Sequence, residues 1–370
     1  MRGAEPFWLR EPSRFARLRA TPARAVLVLL GLLILLSFTA TGIGDPPAIT
    51  AAHQADRAAT DLALYDQIVA GVRHGGGYYD VTAQALRAND YPLRPFVTFR
   101  LPALAMVQAA LPPLAVQLLL YLVAILTAFA WLGRIMPELP RLAPRIAIVI
   151  LLAGSMVAFT QTELAAFHEI WAAQLIALSL ALRRPGRWVE AVALGLAAML
   201  IRETAALFAM LMALAAWIDG ERREAIGWGV VLAIFAAVVG AHAWAVAQVT
   251  GPLDPTSPGW LGMQGFGLFV KSVTLATALQ VLPLWLAGPL VALAIFGWFC
   301  WDEPAALRMA ALLAIWAVLM SGFARLDTFY WGLMVSPVLL VGLVFVPDGL
   351  RDCFARALDR RPVRVQIVRR

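Results

Sequence analysis

Charge is scarce in this chain: 14% of its 370 residues are Asp, Glu, Lys or Arg, against about 25% in an ordinary soluble domain. Hydrophobic residues make up 61%. A single soluble core cannot hide that much apolar surface, so a soluble globule is excluded. Cysteine is almost absent. Cys300 and Cys353 form neither a CxxC metal motif nor a disulfide framework. Lysine is rarer still, with Lys271 alone beside 29 arginines. Gly75-Gly76-Gly77 lacks the spacing of a phosphate-binding loop and follows no strand. That absence argues against ATP, NAD and other cytosolic cofactors. His53 and His74 are not spaced as a metal pair.

What is present is apolar sequence in long runs. The mean hydropathy is +0.77, which predicts a polytopic membrane protein built as one integral bundle. Arg10, Arg14, Arg17, Arg19 and Arg24 precede an apolar run from Ala25 to about Ile43. That run exceeds the ~7–15 residues of a signal-peptide core, so it reads as an uncleaved first helix. Nine further runs follow, at 114–133, 146–161, 164–182, 188–201, 204–218, 226–249, 276–300, 309–323 and 329–346. They predict about ten spans, several of them short. The run at 102–111 is too short to cross and reads as a re-entrant or surface helix.

Placing the N-terminus inside puts 22 of the 30 basic residues in inner segments, as the positive-inside rule requires. Both termini are then cytoplasmic. The same clustering fits membrane topology better than nucleic-acid binding. The expected organisation is a basic N-terminus at 1–24, a bundle at 25–346 and a basic tail at 347–370 facing anionic lipid. Within the bundle, 44–100 and 250–275 form the large outer loops.

Chemistry-bearing residues collect on the outer side. Leu62, Tyr65, Ile68, Val69 and Val72 follow helical spacing, which predicts an amphipathic helix over 58–73. Asp61 and Tyr65 share one of its faces; an ordinary solvated surface helix is the other reading. Arg202 and Glu203 interrupt a long apolar stretch. At mid-helix each would cost roughly 2.5–3.5 kcal/mol, so the stretch splits into two short helices that place them at the outer boundary. Adjacent helical residues point about 100° apart, so the two should contact different partners; a structural ion pair with Glu163 or Glu169 is the alternative for Arg202. His168 and Glu169 open another span, and Arg325 and Asp327 precede the last. Arg94 and Arg100 flank Pro95-Phe96 and read as lying against lipid headgroups. His242 reads as a lone structural residue near a helix end. Most of the outer aromatics fit an interfacial belt, and the loop 251–274 could form a lid.

Four short motifs carry a resemblance. Asp61-x-x-x-Tyr65 is followed by a helix through Ala70, by Gly75 and by Tyr78-Tyr79. Phe167-His168-Glu169-Ile-Trp171 stands at a helix start. Ile201-Arg202-Glu203-Thr204 lies between two short spans, and Arg325-Leu-Asp327-Thr-Phe-Tyr330-Trp331-Gly332 precedes the last span. Together these resemble the GT-C superfamily of polytopic membrane glycosyltransferases, although Leu62 stands where many members carry a second acidic residue.

The resemblance implies an all-α, GT-C-like transmembrane bundle with a structured first periplasmic loop, in a bacterial inner (plasma) membrane. It implies sugar transfer from a polyprenyl-phosphate carrier to a lipid, glycan or protein acceptor. Asp61, or Asp45 as second choice, would be the catalytic base. Arg202, Glu203, His168, Glu169, Arg325, Tyr65 and Tyr79 would hold substrate or its phosphate. No cofactor is firmly implied and no residue is assigned as a metal ligand; a divalent cation between Asp61 and the carrier phosphate stays open. A transporter or flippase of lipid-linked substrates and a non-catalytic membrane subunit are the competing readings.

Overall fold

The structure, a computed structural model, describes residues 5–45 and 56–359, excepting the side chains at 56–60. Its regular elements among these residues are all helical. Among the described residues five helices are long and apolar enough to cross a membrane: Ala20–Gly42, Pro113–Glu138, Arg222–Val249, Pro304–Phe323 and Leu326–Ala357. Shorter apolar helices pack among them, including His168–Leu182, Val189–Ile201 and Leu284–Cys300. Their helicity follows from Leu- and Ala-rich sequence with Gly and Pro placed chiefly at ends and close contacts. The chain is a helical membrane protein.

Several expected elements differ in detail. The amphipathic helix runs Asp56–Arg73, and the short run forms the helix Ala103–Ala110, ending before Pro112-Pro113. The single span expected at 276–300 is broken. A helix Phe266–Leu275 ends there, a 3-10 turn covers Ala278–Val281, and Leu284–Cys300 starts after Pro283. Proline lacks a backbone N–H and cannot continue a helix from its N-terminal side, so hydropathy alone ran through a real break. The last apolar segment, Leu326–Phe345, is wound as 3-10 helix. It is almost wholly buried against the other helices. One close approach explains a glycine pair: a Cβ on Gly297 would collide with the Gly342 carbonyl, and one on Gly342 with that of Ala294. Two Gly residues let these backbones touch.

The helix His168–Leu182 has 15 residues, so its ends lie roughly 22 Å apart. It separates two polar zones. Arg183, just past its C-terminus, pairs with Glu224 at 2.7 Å, both fully buried. Around the same end Arg134 pairs with Glu303, and Arg308 pairs with Asp219 at 2.5 Å. The N-terminal segment is docked there too. The backbone N–H groups of Phe7, Trp8 and Leu9 donate to the buried Asp348 carboxylate at 2.6–2.8 Å. His168 marks the opposite end. Of the tail expected at 347–370, the first part lies in the helix Val346–Ala357, and 360–370 lies outside the described residues.

Candidate functional site

A cavity of about 530 Å³ opens at the His168 end. Its lining brings together residues far apart in sequence: Asp61 and Tyr65, Tyr91, Arg100, His168, and the Arg325–Asp327 pair. Asp61 rides on the helix Asp56–Arg73, whose Leu64 and Ile68 are buried in a small core of their own. Their spacing turns Asp61 and Tyr65 toward the bundle, as the shared helix face predicts. The Tyr91 hydroxyl donates to Asp61 Oδ1. Burial pushes the Asp61 carboxyl above the usual range; the Tyr91 hydrogen bond and the Arg100 charge oppose that push.

Arg100 is the cation beside this carboxylate. Its carbonyl accepts from Tyr78 OH at 2.7 Å, and its Nε donates to Tyr65 OH at 3.3 Å. No carboxylate lies within 4.0 Å of its guanidinium among the described residues. His168 is 4% exposed and sits edge-on to Tyr65, ring centroids 5.1 Å apart. Neither of its ring nitrogens has a hydrogen-bond partner among the described residues. Buried polar groups are nearly always paired, so His168 is an unmet polar group on the cavity wall. Arg325, by contrast, is neutralised. It grips Asp327 through two hydrogen bonds of 3.0 and 2.7 Å and donates to the Gly259 carbonyl at 2.9 Å.

The loop after Val249 supplies one wall. Leu93 N–H and Arg94 N–H donate to the Pro255 carbonyl, and Ser257 N–H donates to the Arg94 carbonyl at 2.7 Å. Arg87 holds Asp254 at 2.7 Å, which keeps that carboxyl down at about 2. Ser257, Pro258 and Trp260 thereby line the cavity.

Other expected site residues lie elsewhere. Arg202 does not line the cavity. It is buried between Glu169, at 2.6 Å, and Glu203, at 2.9 Å. Arg202 and Glu203 were expected to face different partners, yet they pair with each other. The reason is local: Arg202 has extended backbone, φ −137° and ψ 115°, so the helical 100° rule does not apply. Asp45 is not at the cavity either. Lys271 donates to it at 2.8 Å and to the carbonyls of Ile43 and Gly44, and holds the Asp45 carboxyl below its usual value. Tyr79 shares a 3.2 Å hydrogen bond with His242 Nδ1, whose Nε2 faces the Phe99 carbonyl at 3.3 Å. His242, expected to be a lone polar residue, thus has two partners.

Arg100 corrects the sequence reading in the other direction. It lines the cavity instead of meeting lipid headgroups. Its one local signal was a basic residue set between Phe99 and Leu101-Pro102 in a polar segment. Tyr91 gave no signal, because its contact with Asp61 spans 30 residues. Among the described residues no three of His, Cys, Asp and Glu converge as a metal-binding group. Comparison with known proteins adds nothing to this geometry: no family model, no curated protein and no solved structure matches the chain.

Proposed function

We propose that the chain is a membrane glycosyltransferase of GT-C type. It takes a sugar from a polyprenyl-phosphate carrier and transfers it to a hydroxyl of a lipid, glycan or protein at the outer membrane face. One observation carries this reading: a single cavity joins a half-buried carboxylate, Asp61, to a guanidinium, Arg100, that has no carboxylate partner among the described residues. The surrounding chain is apolar enough to accompany a lipid-borne substrate.

The chemistry assigns each group a task. The Asp61 carboxylate accepts the proton from the acceptor hydroxyl as its oxygen attacks the anomeric carbon. The bond from that carbon to the phosphate oxygen breaks, and the electron pair leaves on the phosphate. Arg100 stabilises the growing charge there. His168 supplies a nearby ring N–H for a phosphate or sugar oxygen. Burial of Asp61 favours its accepting a proton. Tyr65 braces Arg100 on one side and His168 on the other. Asp45 and Arg202 have no part in the step, since both are engaged elsewhere.

The test compares lipid-linked sugars and envelope glycans by mass spectrometry. Cells lacking the native protein carry either the wild-type chain or Asp61→Asn at equal membrane abundance. Loss of one glycan modification, with accumulation of its carrier-linked sugar, supports transfer. A profile identical to wild type from Asp61→Asn, where the deletion itself differs, sinks the assignment of Asp61 as base.

A further inference from the structure

We propose that Glu203 is a positioning residue for Arg100, and that Arg202 keeps Arg100 open for an anion by occupying the two nearest glutamates. The proposal rests on reading Arg100 as the phosphate ligand. The peptide unit between Arg100 and Leu101 is gripped at both polar atoms. Tyr78 OH donates to the Arg100 carbonyl at 2.7 Å, and Leu101 N–H donates to Glu203 Oε1 at 3.2 Å. Glu203 Oε2 in turn accepts from Arg202 Nη1 at 2.9 Å, and Arg202 Nε pairs with Glu169 at 2.6 Å. The relay thus runs from Glu169 through Arg202 and Glu203 to the backbone of Leu101. It joins the start of His168–Leu182, the break after Val189–Ile201, and the segment ahead of Ala103–Ala110.

Two consequences follow from this geometry. With its backbone held on both sides, the long Arg100 side chain starts from a fixed root, and Tyr65 OH steers its Nε. Glu169 and Glu203 are also close enough to act electrostatically on Arg100. Freed from Arg202, either carboxylate could swing to Arg100 and neutralise it. Arg202 is buried, with 5% of its side chain exposed, and it does not line the cavity. Its charge therefore acts on the site only through its neighbours.

The experiment measures binding of undecaprenyl phosphate to the full chain in lipid nanodiscs. Arg100→Ala is expected to weaken binding by about 10–100-fold. Glu203→Ala should weaken it by about tenfold, and Arg100→Ala with Glu203→Ala should be no weaker than Arg100→Ala alone. Glu203→Gln keeps an acceptor oxygen for Leu101 N–H and should stay within about threefold of wild type. Losses that simply add, or a Glu203→Ala chain that binds like wild type, overturn the relay. If the wild-type chain does not bind the probe, the phosphate reading falls, and a ligand-free measurement decides the relay. Arg100→Cys is labelled with a charged, membrane-impermeant thiol reagent; Cys300 and Cys353 are buried. Adding Glu203→Ala should change the labelling rate by about fivefold or more, and adding Glu203→Gln should not. Equal rates in all three chains discard the relay.

Discussion

The two polar ends of the bundle handle charge in opposite ways. At the Arg183 end, the buried charges are matched. Arg183 meets Glu224, Arg134 meets Glu303, and Asp348 collects three backbone N–H groups. At the His168 end, Asp61 and Arg100 face one cavity without an ion pair among the described residues, and His168 has two nitrogens without partners among them. Both ends incur desolvation; at the His168 end Arg202 and Arg325 recover it in ion pairs, while Asp61, Arg100 and His168 do so less fully. Burial of charge alone therefore does not single out a candidate site; charged groups beside a cavity with no ion-pair partner among the described residues do. Arg202 makes the point from within the site's own end, being buried, paired and remote from the cavity wall.

Substitutions that separate activity from stability test this contrast most severely. Asp61→Asn should lower transfer by about 10²–10⁴-fold, the range for loss of a general base. Stability should not fall with it. The folded carboxyl lies above its unfolded value, so ionising Asp61 costs stability. That cost is absent below the unfolded value near 3.9 and grows as pH rises through the folded value. Asparagine removes the cost and still accepts from Tyr91. Thermal unfolding in detergent beside a transfer assay reads both quantities, and a destabilised Asp61→Asn chain would contradict the assignment. The mirror case is Glu224→Ala. It strands the buried Arg183 charge and should cost about 3–5 kcal/mol of stability. The surviving folded fraction should retain its turnover number.

A subtler test uses pH. The Tyr91 hydrogen bond pulls the Asp61 carboxyl down, so Tyr91→Phe should raise it further. The acid limb of kcat/KM should then move to higher pH. A limb that stays put, or moves lower, breaks the link between that limb and Asp61. The smallest effect belongs to the covering loop. Asp254, held at about 2 by Arg87, contributes stability that is present above about 3.9 and lost as pH falls toward 2. Arg87→Ala should speed hydrogen exchange at 250–260 at neutral pH and reduce activity only slightly. Unchanged exchange there would show that the loop is held by its backbone contacts to Leu93 and Arg94 alone.

Sequence reasoning reached the class of the molecule because hydropathy is a sum over long runs and needs no partner. The same holds for the helix carrying Asp61 and Tyr65, whose face is set by a 3.6-residue period. The family resemblance implied that His168 and Arg325 hold substrate, and both line the cavity. Partner choice was not legible. Asp45 and Lys271 are 226 residues apart, Tyr79 and His242 are 163 apart, and Leu101 and Glu203 are 102 apart. Nothing local in the chain states which of several arginines will find a carboxylate.

Arg100 and Arg202 show the division most clearly. By sequence, Arg202 sits in an apolar stretch and invites a ligand, while Arg100 sits in a polar loop and invites lipid headgroups. Packing reverses the two. The helix break turns Arg202 between two glutamates, and the clamp on the Arg100–Leu101 peptide leaves the other guanidinium on the cavity wall. Apolar periodicity, a property of neighbours in the chain, determined by itself that this protein is a helical membrane bundle with polar ends. Only the tertiary structure decided which charges cancel and which stay open. Coulomb and hydrogen-bond energies depend on distances of a few ångströms, and between remote residues the fold alone sets those distances.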